Sequence, residues 1–152
     1  MDAVLEEALV ELIGINEQVD TSEYGGSVAV TLAATHSGEW LKACLTTTED
    51  GSGTVLTPAG TLFILDADPA TTAGDASITA VERLAILAQI AYAAADWQSD
   101  ANGATNCKIL ADGFHANSSL IALWFHEDAV SFNDVAGDDE QLELAFWYRR
   151  DS

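Results

Sequence analysis

The chain is 152 residues long and sets 25 Asp and Glu against five Lys and Arg, a formal charge of −20. Because 49% of its residues are hydrophobic, it reads as a folded domain with an anionic surface, not as an acidic disordered tail. Such a surface repels nucleic acid and anionic membrane, and leaves neutral or cationic partners or further copies of the chain.

One domain is expected at this length, burying roughly 68–70% of its unfolded surface. Acids or other polar residues interrupt every apolar stretch before it reaches the ~18 residues of a membrane helix. The N-terminal MDAVLEEALVELIG is acidic where a signal peptide is basic, so synthesis in a cytoplasm without export is expected. In that setting Cys44 and Cys107 are expected as free, buried thiols. Lys42 and Lys108 are the only lysines. Adaptation to high salt gives that bias, and so does an anionic particle surface.

Residues 2–14 read as an amphipathic helix. Val4, Leu5, Ala8, Leu9, Leu12 and Ile13 recur at three- and four-residue steps, against Glu6, Glu7 and Glu11. Leu5, Leu9 and Leu12 make this helix, residues 1–16, a docking or oligomerisation element on a body of residues 24–152. Strands are expected at Ser27–Ala34 and Trp40–Thr47, then a turn at Glu49–Gly53. Short strands follow at Thr54–Thr57 and Thr61–Leu65, and a loop at Asp66–Asp75.

Thr79-x-x-Glu82 is a capping box that opens a helix. Alanine content extends that helix to Trp97; strand count ends it near Leu87 and makes Gln89–Trp97 a strand. The second reading brings the total to about eight strands and closes two sheets. The fold class is then mainly β: an antiparallel, jelly-roll-like sandwich with an N-terminal helix and a short helix near residues 79–87. Asn102-Gly103 marks a turn before Cys107–His115, Leu120–Glu127 and Leu142–Arg149. Leu120, Ala122, Trp124 and His126 share one face of their strand, and Ile121, Leu123 and Phe125 the other. Bulk on both faces belongs to a central strand or to one pressed against another subunit.

Chemistry is sparse. Asp66 with Asp68, and the crowd of Asp134, Asp138, Asp139 and Glu140, offer hard oxygens suited to calcium, without the spacing of a twelve-residue calcium loop. His36, His115, His126 and the two Cys lack zinc-type spacing. No catalytic residues and no other cofactor are expected. Arg149-Arg150 follows Phe146-Trp147-Tyr148, a cluster of the residue types enriched at interface centres. Phe146, Trp147, Tyr148, Arg149, Arg150 and Trp124 join Leu5, Leu9 and Leu12 as interface candidates.

The segment EDGSGTVLTPAGTLFILDADPATTAGD, with DWQSDANGA and the ending LELAFWYRRDS, resembles small structural proteins of tailed-bacteriophage virions. The resemblance covers residues 25–152 and implies a β-sandwich used as a capsid decoration, head-fibre or tail component. It implies a virion protein, non-enzymatic, forming trimers or larger rings and contacting a major capsid or tail protein. A small acidic ligand- or metal-binding domain of a halophile is the other expectation.

Overall fold

Alternation of bulk along the strands, with period two, places one apolar face of each against a common core. A computed structural model describes residues 4–14, 17–31, 38–49, 55–116, 119–132 and 141–150. The strands are β1 (Val4–Ile13), β2 (Glu23–Tyr24), β3 (Val28–Thr31), β4 (Gly38–Thr48), β5 (Gly60–Leu65), β6 (Ile86–Tyr92), β7 (Gln98–Ser99), β8 (Gly103–Ala116), β9 (Ser119–His126) and β10 (Leu142–Arg150). One antiparallel sheet runs β1-β10-β4-β8-β7; the other runs β2-β9-β5-β6, with β3 also on β9. The protein is therefore mainly β, two antiparallel sheets packed as a sandwich.

Four pairs nest within one another along the chain: β1 with β10, β3 with β9, β4 with β8 and β5 with β6. The contacts of β10 with β4 and of β9 with β5 join these nested pairs into the two sheets.

Leu142, Leu144 and Phe146 of β10 and Ala43 and Leu45 of β4 meet Leu62 and Ile64 of β5, Ile90 and Tyr92 of β6, and Ala122 and Trp124 of β9. The Tyr92 hydroxyl donates to the Ala43 carbonyl at 2.9 Å and ties the two sheets together. A second cluster lies on the other face of β5 and β9, where Leu65 and Leu123 pack with Tyr24, Ile78, Phe63 and Phe125. The connection between β5 and β6 covers that face through Ile78 and Ala85. The two-sided bulk of β9 is thus satisfied within the chain.

The capping box is formed. Glu82 N donates to Thr79 Oγ1 at 3.1 Å, Thr79 N donates to the Glu82 carboxylate, and the helix α1 is Ala80–Arg83. It ends early because β6 pairs with β5 from Ile86 onward; Ala94–Asp96 adds one 3-10 turn. The expected strand at Thr54–Thr57 is only a bridge between Glu49 and Val55.

Two expectations are corrected. Residues 4–13 are not a helical appendage but β1, paired along its length with β10, and Leu12 and Ile13 lie in the core. A helix this short has little stability of its own, and the free edge of β10 satisfies its backbone groups better. Cys44 and Cys107 are not free thiols: they stand directly opposite on β4 and β8 and form a disulfide.

The bond closes a loop with a sequence separation of 63, which restricts the unfolded chain strongly. The Cys44→Ser/Cys107→Ser variant should lose about 2–4 kcal/mol of unfolding free energy in urea titrations. Equal midpoints for both proteins would show that the bridge adds nothing to the register already set by the strands.

Candidate interaction surfaces

The outward face of the β1-β10-β4-β8 sheet carries an apolar row. Trp147 of β10, Lys42 of β4 and Ile109 of β8 stand in register across three strands. Their inward neighbours Phe146 and Ala43 are core, so period two turns this row toward solvent. Ile109 is 80% exposed. With Leu41, the extra residue on β4 opposite Trp147 and Tyr148 of β10, the row lines a shallow depression of about 380 Å³. Lys42 Nζ sits 5.0 Å from the centre of a Trp147 ring, a cation–π contact that leaves the rest of the indole available. Two residues along, Ala145, Cys44 and Cys107 stand in register, so the disulfide braces the same face.

A second exposed apolar group lies at α1 and the start of β6. Val81 is 76% exposed and Leu84 85%, three residues apart on one helical turn; Leu87 follows at 45%. Such residues are costly to leave in water, about 1.5–3 kcal/mol each by burial bookkeeping.

The polar depression at the β7–β8 turn holds about 520 Å³ between Thr46, Gln98, Ser99, Asp100, Asn102 and Thr105. Its carboxylate is committed locally: Asp100 Oδ1 accepts from the backbone N–H groups of Asn102 at 2.8 Å and Gly103 at 3.2 Å. Other loop acids do the same. Asp68 accepts from Ala70 N and from the Ser27 hydroxyl, contacts that hold its carboxyl below the usual range, the hydroxyl first. Asp75 accepts from Thr72 N, and Asp128 from both Val130 N and Ala59 N. These four acids thus close turns. Among the described residues no three His, Cys, Asp or Glu side chains converge as a metal site.

The sequence-derived candidates divide sharply. Trp124, Phe146 and Leu12 are core side chains with essentially no exposure, so they correct the expectation that they face a neighbouring copy. Trp147 is half-buried on the exposed row. For Leu5, Leu9, Tyr148, Arg149 and Arg150 the backbone register is defined: Leu5 lies opposite Arg149, Leu9 opposite Ala145, and Arg150 between Val4 and Gly38. Their side chains, and Asp134, Asp138, Asp139 and Glu140, lie outside the described residues. Ile109, Val81, Leu84 and Leu87 were missed. The signal for Ile109 was present: β8 alternates Asn106 and Lys108 with Cys107 and Ile109, an apolar set on the face that should be polar.

No family model matches the chain, and no curated protein shows significant similarity to it. Among the described residues no helix is long and apolar enough to cross a membrane.

His126 is fully buried, and both of its ring nitrogens are engaged. Trp124 Nε1–H donates to His126 Nδ1 at 3.2 Å; because indole only donates, the imidazole proton is on Nε2, 2.7 Å from the Val130 carbonyl. His126 also anchors a loop: its carbonyl accepts from Ser22 N at 2.8 Å, and its ring meets Phe132 edge-on. Burial lowers its pKa from 6.5, against opposing pulls from the Val130 carbonyl and the Asp128 and Asp20 carboxylates. The folded protein therefore binds fewer protons here than the unfolded chain between the lowered value and 6.5. Stability from this group is complete above about 6.5 and declines as pH falls below it, by at most about 1.4 kcal/mol per pH unit. His126→Gln should flatten the pH profile of unfolding free energy in that window; parallel profiles for the two proteins would assign the slope elsewhere.

Proposed function

We propose that this chain is a non-enzymatic structural protein of a tailed-phage particle, which associates with further copies of itself and seats on the particle surface. The observation that carries the reading is the Trp147–Lys42–Ile109 row, bulky apolar surface left exposed on a chain of charge −20. A chain so rich in acid has ample means to cover a solvent face with charge, and bulky apolar side chains exposed together on one sheet face mark a protein contact.

Strand order supports a jelly roll for the same sandwich. Among the described strands, those of four or more residues number eight: β1, β3, β4, β5, β6, β8, β9 and β10. Taken as first to eighth, they pair first with eighth, second with seventh, third with sixth and fourth with fifth. That nesting is what a long antiparallel hairpin produces when it rolls into two sheets, the architecture used by many capsid domains and also by lectins and cupins. The disulfide suits a protein that works outside a reducing cytoplasm, virion surfaces included.

A small acidic ligand-binding domain of a halophile is the second reading, and the hydroxyl- and amide-lined depression at the β7–β8 turn favours it. Light scattering separates the two. The assembly reading predicts a trimer or larger species at ~0.15 M salt, where screening already acts beyond ~8 Å. Trp147→Ser combined with Ile109→Asp should bring that mass below a trimer while unfolding free energy changes by less than about 1 kcal/mol. A monomeric wild type that folds only in molar salt would favour the ligand-binding domain instead.

A further inference from the structure

A strand at the rim of a sheet offers its unpaired N–H and C=O groups to any strand that can reach them, and proteins normally blunt such rims with charge, proline, shortness or a covering segment. The rims of this sandwich are treated unequally. β1 carries Glu6, Glu7 and Glu11 within ten residues. β3 has four residues and β2 two. The stretch of β8 that extends past β7 contains Lys108 and Asp112 and is interrupted by a bulge opposite Trp40 and Lys42. β6 has none of these protections beyond one irregularity near its start: Ile86–Tyr92 reads ILAQIAY, with no charge, no proline and no glycine, and among the described residues it pairs only with β5.

Charge decides what can lie against it. Residues 76–95 contain a single Glu and a single Arg, a net charge of zero in a chain of −20. Glu82 is also held in the capping box, its carboxylate accepting from Thr79 N. A cationic partner would gain most by binding elsewhere, among the acids. A second copy has the opposite requirement: two chains of −20 need a place to approach without setting acid against acid, and this strip supplies one.

We propose that β6 pairs with β6 of a second copy, antiparallel about a two-fold axis at Gln89, the middle of the strand. The five-stranded sheet of β2, β3, β9, β5 and β6 then continues into its partner as one ten-stranded sheet, closed by the isologous symmetry of a dimer. In this register Leu87 stands opposite the partner subunit's Ala91, and Ala88 opposite the partner subunit's Ile90, so each of these pairs sets a bulky side chain against a small one. The exposed Val81 and Leu84 precede the strand by five and two residues, so the turn that carries them opens directly into the seam. The inference rests on the self-association reading but uses a surface separate from the Trp147–Ile109 row.

Cysteine cross-linking tests it. Gln89 is exposed, and at the axis its own counterpart lies directly opposite, within the ~4.5–5.5 Å Cβ separation of a cross-strand pair. Gln89→Cys, oxidised mildly in the full chain, should give a covalent dimer on non-reducing gels. Gln98→Cys, equally exposed on β7, should not. Mass spectrometry verifies that Cys44–Cys107 is retained in both, and circular dichroism that both are folded. Adding Leu84→Glu and Leu87→Glu to Gln89→Cys should abolish the dimer by placing acids at the seam. No cross-link at position 89, or equal cross-linking at 89 and 98, overturns the inference. If that happens while wild type still exceeds monomer mass and Trp147→Ser with Ile109→Asp dissociates it, the pairing alone has failed. If wild type is a monomer throughout, the assembly reading falls with it.

Discussion

Trp124 imposes the constraint on which the rest of the sandwich depends. Its indole is fully buried in β9, between the two sheets, and a side chain of that size dictates what stands beside it. The adjacent strand must supply glycine, since a Cβ at Gly60 would collide with the indole ring. The indole N–H must find an acceptor, and His126 Nδ1 provides it, which keeps that histidine neutral with its remaining proton directed at Val130. Tyr92 packs 6.2 Å away, centre to centre, and its hydroxyl reaches the opposite sheet at Ala43. One buried ring thus links β5, β6, β9, β4 and the loop after β9.

The acids and the exposed apolar groups are two halves of one surface. Several carboxylates, among them Asp68, Asp75, Asp100, Asp128 and Glu82, accept backbone N–H groups within turns and caps, so they shape loops while adding charge. Against that background Ile109, Val81 and Leu84 are conspicuous, because each is a large apolar side chain left mostly in solvent. Both exposed groups lie on rigid elements: one on the disulfide-braced face of the larger sheet, the other beside an uncharged strand edge. Apolar surfaces of this kind, free of exposed acids across the Trp147–Ile109 row, suit lasting contacts between protein chains.

Local signals carried far through the sequence. The alternation in Leu120–His126 and Leu142–Phe146 identified two strands, and Thr79 with Glu82 located α1. What failed depended on distant partners. Val4–Ile13 satisfies helical and extended spacing alike, and only the edge of β10, more than a hundred residues away, selects the strand. Cys44 and Cys107 become neighbours through the β4–β8 register, which neither segment encodes alone. Trp124 and Phe146 look like interface aromatics until the opposing sheet is placed over them. Nested pairing of this kind is non-local throughout, which also predisposes the chain to fold slowly.

The central claim is that the exposed apolar surfaces are contact surfaces between protein chains. Amide hydrogen exchange compared at low and high protein concentration tests it directly, since it reports where protection is gained as well as whether chains associate. The account predicts slower exchange at high concentration in Ile86–Tyr92 and around Lys42 and Ile109, with Asp66–Asp75 unchanged. Exchange that is independent of concentration along the whole chain would contradict it.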